Sequence, residues 1–177
     1  MTLLLWPGFA CSSTAPGIDI EYAQGTLNDD TYSIDARIQY RFSEESQEAL
    51  DHGVALQIDI NLVAQIHRKW LWNKTIASST LSYRLEHLPL SNNYLVTSLN
   101  DYQRRYFQDL QKALHYLGVI KNFPLLKPDI QMPENKYVAR IRARLNIQAL
   151  PTPLRPLAYV SSKWRLISPW YEWIIHQ

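Results

Sequence analysis

Hydrophobic and polar residues alternate over three stretches of the chain, strictly in the first and with a few apolar residues on the polar side in the other two. From Tyr32 to Phe42 the even positions are Tyr32, Ile34, Ala36, Ile38, Tyr40 and Phe42, and the odd ones are Ser33, Asp35, Arg37, Gln39 and Arg41. The same parity runs from Val54 to Ile66, where apolar residues alternate with Gln57, Asp59, Asn61 and Gln65. It recurs from Tyr137 to Ile147, with Arg140, Arg142 and Arg144 on the polar side. Successive strand side chains point to opposite faces, so each stretch predicts a strand with one face on a core and one toward water. Ile18 to Leu27, Ile76 to Leu88 and Tyr94 to Leu99 are weaker strand segments. Asn28-Asp29-Asp30 and Ser91-Asn92-Asn93 supply turn chemistry, because Asn and Asp bond their own backbone and tolerate left-handed conformations. Half-polar strands joined by short turns build antiparallel sheet, since parallel strands are apolar on both faces.

Two helices interrupt the strands. Ser43 is a good N-cap for Glu44 to Asp51, with Glu44 and Glu45 in the first turn and Gly53 just past the end. A second helix runs from about Gln108, or from as early as Asp101, to Leu117. Gly118 stands at its C-cap, and Leu110, Ala113, Leu114 and Leu117 form its apolar stripe. The expected fold is therefore mainly β (α+β), an antiparallel sheet or sandwich of about six to seven strands with two short helices. It occupies residues 17–177 as a single domain, a length within the usual range of about 100–200 residues.

Residues 1–16 read differently. Met1 to Ala15 is apolar and then small, like a degenerate secretory signal without a basic n-region and interrupted by Pro7-Gly8. Export to the periplasm or envelope is the expectation, and a cytoplasmic chain with a loose tail is the alternative. Cys11, the only cysteine, is a spent signal residue, an inert thiol or a lipid-attachment site in this reading. No run of about 18 apolar residues encodes a transmembrane helix.

Charge and motifs narrow the chemistry. Lys+Arg 18 against Asp+Glu 16 leaves a net charge of +2, short of the basic excess that nucleic-acid domains carry. The five His are scattered without metal-ligand spacing, and there is no nucleophile elbow or phosphate-binding loop. No catalytic residue, cofactor site or metal site is assigned, and a non-enzymatic protein is expected. The remaining signals are aromatic and basic. Trp70 and Trp72 lie in one Trp-rich segment, and Trp164, Trp170 and Trp173 in another. Either these indoles pack under Arg and Lys stems, or they form a rim for a membrane interface, a glycan or a protein partner. Arg140, Arg142 and Arg144 form a stripe of about 13 Å. Asp35, Asp59 or Glu86 would neutralise it across strands, or a phosphate, lipid headgroup or acidic partner would.

Four segments carry a family resemblance. They are Gly53-Val54-Ala55-Leu56 before its long strand, and Trp70-Leu71-Trp72 followed by Ile76-Ala77 and Tyr83-Arg84-Leu85. Then come Phe107 through Leu117-Gly118 with Asn122-Phe123-Pro124-Leu125, and Lys163-Trp164-Arg165-Leu166 with Ser168 and Trp170-Tyr171-Glu172-Trp173. In order and spacing the chain resembles the domain of unknown function 4390 family, exported proteins of proteobacteria sometimes labelled proline-rich signal peptide proteins. The family typically has Asp-Trp where Asn122-Phe123 stands here. The resemblance implies an exported, mainly β protein, often encoded beside a sensor kinase, and it carries no site residues. The expected role is protein or envelope-surface contact. A periplasmic small-ligand or lipid binder is the alternative, and a hydrolase with an acid pair not visible in the sequence stands behind both.

Overall fold

The computed structural model describes residues 15–28, 31–66, 73–126 and 137–175. The signal-like segment with Cys11, the Asp29-Asp30 turn, and Trp70 and Trp72 lie outside them. The strands are β1 (Gly17–Asn28), β2 (Thr31–Arg41), β3 (Leu56–Ile66), β4 (Lys74–Leu88), β5 (Asn93–Ser98), β6 (Arg104–Phe107), β7 (Val119–Leu126), β8 (Tyr137–Leu145) and β9 (Tyr171–Ile175). The helices are α1 (Glu44–Asp51), α2 (Leu110–Leu117) and α3 (Arg155–Val160). Two antiparallel sheets result, ordered β1-β2-β7 and β6-β5-β4-β3-β8-β9.

The three alternating stretches form the centre. Ile34, Ala36 and Ile38 of β2, Leu56 to Ala64 on the even parity of β3, and Ala139, Ile141 and Ala143 of β8 are all buried in one core between the sheets. A hydrogen bond crosses the sandwich, from Trp173 Nε1 in β9 to the Tyr32 hydroxyl in β2 at 2.9 Å. Burial raises the Tyr32 hydroxyl pKa, and the bond from Trp173 partly offsets this. Tyr32 lies on Gly25 of β1, where an added Cβ would come within 1.9 Å of the hydroxyl oxygen.

The helix ends follow local chemistry. The Ser43 hydroxyl accepts from the Ser46 N–H at 3.2 Å, which caps α1. Gly53 follows it at φ +85°, where a side chain would be strained. Asp109 caps α2 by accepting from the Lys112 N–H at 2.8 Å. This corrects a helix start near Asp101: Arg104–Phe107 instead pairs with β5 as β6, and Phe107 packs on Tyr116. Gly118 has an ordinary helical φ of −83°. Its lack of a side chain serves close approach, since a Cβ there would meet the Ile38 carbonyl at 2.0 Å.

The fold has nine strands among the described residues, more than the pattern predicts. The three that it does not predict, β6, β7 and β9, are all sheet edges. Pro124 is tolerated in β7 because an edge strand needs no hydrogen bond on its free side. Asn122 in the same strand has φ +48° and donates its N–H to Asp35 at 2.8 Å, at a shift of register against β2. A third helix, α3, follows the Pro-rich stretch, with Pro156 near its start.

Candidate functional site

The outer face of β8 collects the arginine stripe and most of the second Trp-rich segment. The strand's burial alternates, so Tyr137, Ala139, Ile141, Ala143 and Leu145 point into the core and Arg140, Arg142 and Arg144 point out. On one side β3 places Val63, Asn61 and Asp59 opposite these three arginines. On the other side β9 places Glu172 opposite Arg140. Next to the C-terminal half of β8, residues 166–168 continue the sheet without being a strand. Leu145 donates to the Leu166 carbonyl at 2.8 Å and Ser168 to the Ala143 carbonyl at 2.9 Å. The Ser168 hydroxyl accepts from the Ala143 N–H at 3.0 Å. Leu166 and Ser168 are therefore buried, while Arg165 and Ile167 are exposed on the arginine side, with Ile167 opposite Arg144.

Each arginine has a different environment. Arg140 Nε lies 2.8 Å from a Glu172 carboxylate oxygen. Its guanidinium also stacks on the Trp170 ring, 4.6 Å from the centroid. Arg142 stacks on the same ring at 4.4 Å. It makes no ion pair among the described residues, and its Nε is buried without a hydrogen-bond partner there. Arg144 is 4.0 Å from Asp59 Oδ2. One indole thus supports two cations, an arrangement in which desolvation strengthens the attraction between ring face and guanidinium.

Asp59 is the one buried carboxylate among the described residues, 4% exposed. Its Oδ1 accepts from Gln57 Nε2 at 2.9 Å and from the Ser82 hydroxyl at 2.8 Å. Its Oδ2 accepts from Asn146 Nδ2 at 2.8 Å. Of the three carboxylates that the sequence offers the stripe, Asp59 is the one the structure places beside it, at Arg144. Asp35 and Glu86 do not serve the stripe. Asp35 belongs to the other sheet, bound to Asn122. Glu86 lies four residues beyond Ser82 along β4, about 13 Å away. The counter-ion that sequence reasoning missed is Glu172, whose position is set by β9, an edge strand with only weak alternation.

The tryptophans divide by burial. Trp164 is buried in the core, and Trp173 is half-buried and tied to Tyr32; both take the packing role. Trp170 is half-buried and forms the platform under Arg140 and Arg142.

Two depressions flank this architecture. A pocket of about 270 Å³ adjoins the stripe, lined by Arg144, Arg165, Tyr159, Trp164 and Ile167 among others, and by no acidic residue. A groove of about 620 Å³ opens between β4 and β7, with Leu81, Tyr83, Tyr116, Ile120 and Phe123 as its apolar wall and Asp101 and Lys121 among its polar residues. Burial raises the Tyr83 hydroxyl pKa, with Tyr116 and Asp101 adding to the effect. Among the described residues no three His, Cys, Asp or Glu side chains converge to hold a metal ion. No helix there is long and apolar enough to cross a membrane.

No curated protein and no solved structure is similar enough to the chain to match it. Residues 15–174, nearly the whole chain, match the family described as Domain of unknown function (DUF4390), and the chain belongs to that family.

Proposed function

We propose that the protein is an exported, non-enzymatic β module that works by contact with a protein or the envelope surface, through the outer face of β8. The observation that carries this reading is Arg142. It is a cation stacked on Trp170, 4.4 Å from the ring centroid, on a sheet face, with no carboxylate partner among the described residues. A stacked arginine has little freedom left to lose on binding, and Arg with aromatic residues is the usual composition of interface anchors. Export and an envelope signalling context are what membership of the family suggests, and they form part of this proposal. Crosslinking in fractionated cells, comparing the native chain with Arg142→Glu, tests it. The reversed charge is expected to remove specific adducts, and an unchanged adduct set would overturn the reading.

The groove between β4 and β7 supports a second reading, a binder of a small apolar ligand. Its volume and mostly apolar wall with a few polar groups suit such a ligand. Native mass spectrometry after gentle extraction would detect an added mass that Leu81→Trp abolishes. A hydrolase of the acid-pair kind needs two carboxylates facing one cleft. The pocket beside β8 is lined by none and the groove by Asp101 alone, so no observation supports that reading.

A further inference from the structure

Between Tyr137 and Tyr171 the chain carries six cations, Arg140, Arg142, Arg144, Arg155, Lys163 and Arg165, and no Asp or Glu. That stretch therefore has a charge of +6 in a chain whose net charge is +2; Glu172, Asp59 and Glu45 from outside it face Arg140, Arg144 and Lys163, which leaves an excess of about three cations. Ile167 and the Trp170 platform lie against the outer face of β8, and one pocket brings Tyr159 of α3 beside Arg144 and Arg165.

The same segment exposes its apolar residues. Val160 is 87% exposed, Leu157 65%, Tyr159 55% and Ile167 43%. Leu157 and Val160 are one turn apart on α3, so they share a face. Of the helix, only Ala158 is buried. Tyr159 and Ile167 border the pocket that Arg144 and Arg165 line, which joins the apolar tip to the cationic stripe. Arg165 makes no side-chain hydrogen bond or ion pair among the described residues. Arg144 has only Asp59 at 4.0 Å, and that carboxylate is already held by Gln57, Ser82 and Asn146.

We infer that this side of the molecule docks on an anionic phospholipid bilayer. Leu157, Tyr159, Val160 and Ile167 enter the headgroup region, and Arg142, Arg144 and Arg165 bind lipid phosphates. The inference rests on the contact reading above and names its occupant. Charge complementarity favours an anionic surface over a neutral one, and exposed aliphatic side chains beside the cations fit an amphiphile better than a purely polar polyanion. Arginine suits the role because its planar fork binds two phosphate oxygens at once. Interfacial binding of this kind combines buried apolar area with attraction to anionic lipid, and each cation near the surface strengthens binding about fivefold.

The test is co-sedimentation of the full chain with vesicles of phosphatidylcholine alone or with phosphatidylglycerol added. Binding is expected only to the anionic vesicles and should weaken as salt rises. Arg165→Gln should reduce it about fivefold. Val160→Asp, at a site exposed enough to leave the thermal midpoint unchanged, should reduce it further. Equal binding to both vesicle types, or full displacement by inorganic phosphate with Val160→Asp binding as the native chain does, would overturn the inference. So would absence of vesicle binding. If vesicle binding is absent while Arg142→Glu still removes crosslinked protein adducts, the contact reading stands and its lipid occupant falls. If Arg142→Glu changes no adduct, the contact reading falls as well.

Discussion

Replacing Asp59 by Asn separates a structural carboxylate from a reactive one. The two side chains have the same shape, so packing is kept and only charge and hydrogen bonding change. The amide oxygen of the new side chain can take the place of Oδ1, which accepts from Gln57 and Ser82. In that orientation the amide nitrogen faces Asn146 Nδ2, a donor opposite a donor, where Oδ2 now accepts at 2.8 Å, and in the reverse orientation it faces Gln57 Nε2, a donor too. Asn146 cannot relieve this by turning over, because its own oxygen accepts from the N–H groups of Gln148 at 3.0 Å and Ala149 at 3.3 Å. One charge-assisted bond is lost and a buried donor is left unpaired, at a cost of about 3 kcal/mol. For a chain of this size that is a fall in thermal midpoint of roughly 9 °C. Urea unfolding, with an unchanged slope against denaturant, measures the loss directly. A double-mutant cycle with Asn146→Ala identifies its origin, since once the opposing donor is gone, Asp59→Asn should cost less. A loss below about 1 kcal/mol, or additivity within about 0.5 kcal/mol, would refute the reasoning. Retention on anionic vesicles should not fall in Asp59→Asn, since the variant only removes the carboxylate nearest Arg144.

Three further predictions concern the sandwich and its surface. Gly25→Ala forces a Cβ against the Tyr32 ring and hydroxyl, and overpacking of this kind should destabilise by about 1–3 kcal/mol; combined with Tyr32→Ala, which removes the clashing ring, it should cost less in urea unfolding than the two single changes together. Trp173→Phe removes the cross-sheet bond to Tyr32 and should cost about 1 kcal/mol beyond the smaller ring's lost burial, as read by a cycle with Tyr32→Phe. The Lys163–Glu45 pair joins the segment before β9 to α1, and its hydrogen bond lowers the Glu45 pKa and raises that of Lys163. The Glu45 contribution is therefore present above its ordinary pKa and lost as pH falls through the lowered value. The Lys163 contribution is present below the ordinary lysine pKa and lost as pH rises through the raised one. Thermal midpoints of the native chain and Glu45→Gln should differ at neutral pH and converge in acid; a constant difference would refute the pairing.

Central features were legible in the sequence because they are periodic. The parity of Tyr32 to Phe42, Val54 to Ile66 and Tyr137 to Ile147 reports burial on one face, and the strands β2, β3 and β8 carry it almost unchanged. The edge strands β6, β7 and β9 are not legible in the pattern, for a physical reason. An edge has one unpaired side, and that side tolerates Pro124, the left-handed Asn122 and the exposed side chains of Arg104–Tyr106, all of which erase alternation. Gly118 caps α2 as the sequence predicts, while its close approach to the Ile38 carbonyl is a tertiary fact that no helix-end rule contains. The candidate site was legible in part. Arginine spacing put three cations on one face, and strand pairing found Asp59 for one of them. Glu172 and the Trp170 platform depend on how residues 165–175 return along β8. The pocket between Arg144 and Arg165 depends on the same return, so neither could be read from spacing.

The central claim is that the outer face of β8 and the adjoining α3 make the protein's functional contact. A photoreactive residue at Ile167, on that face, compared in cells with one at Tyr102, which is 78% exposed at the other end of the six-stranded sheet, tests it most directly. The account predicts protein or phospholipid adducts from position 167 that are missing from position 102. Equal adducts from both positions, or adducts from 102 alone, would contradict it.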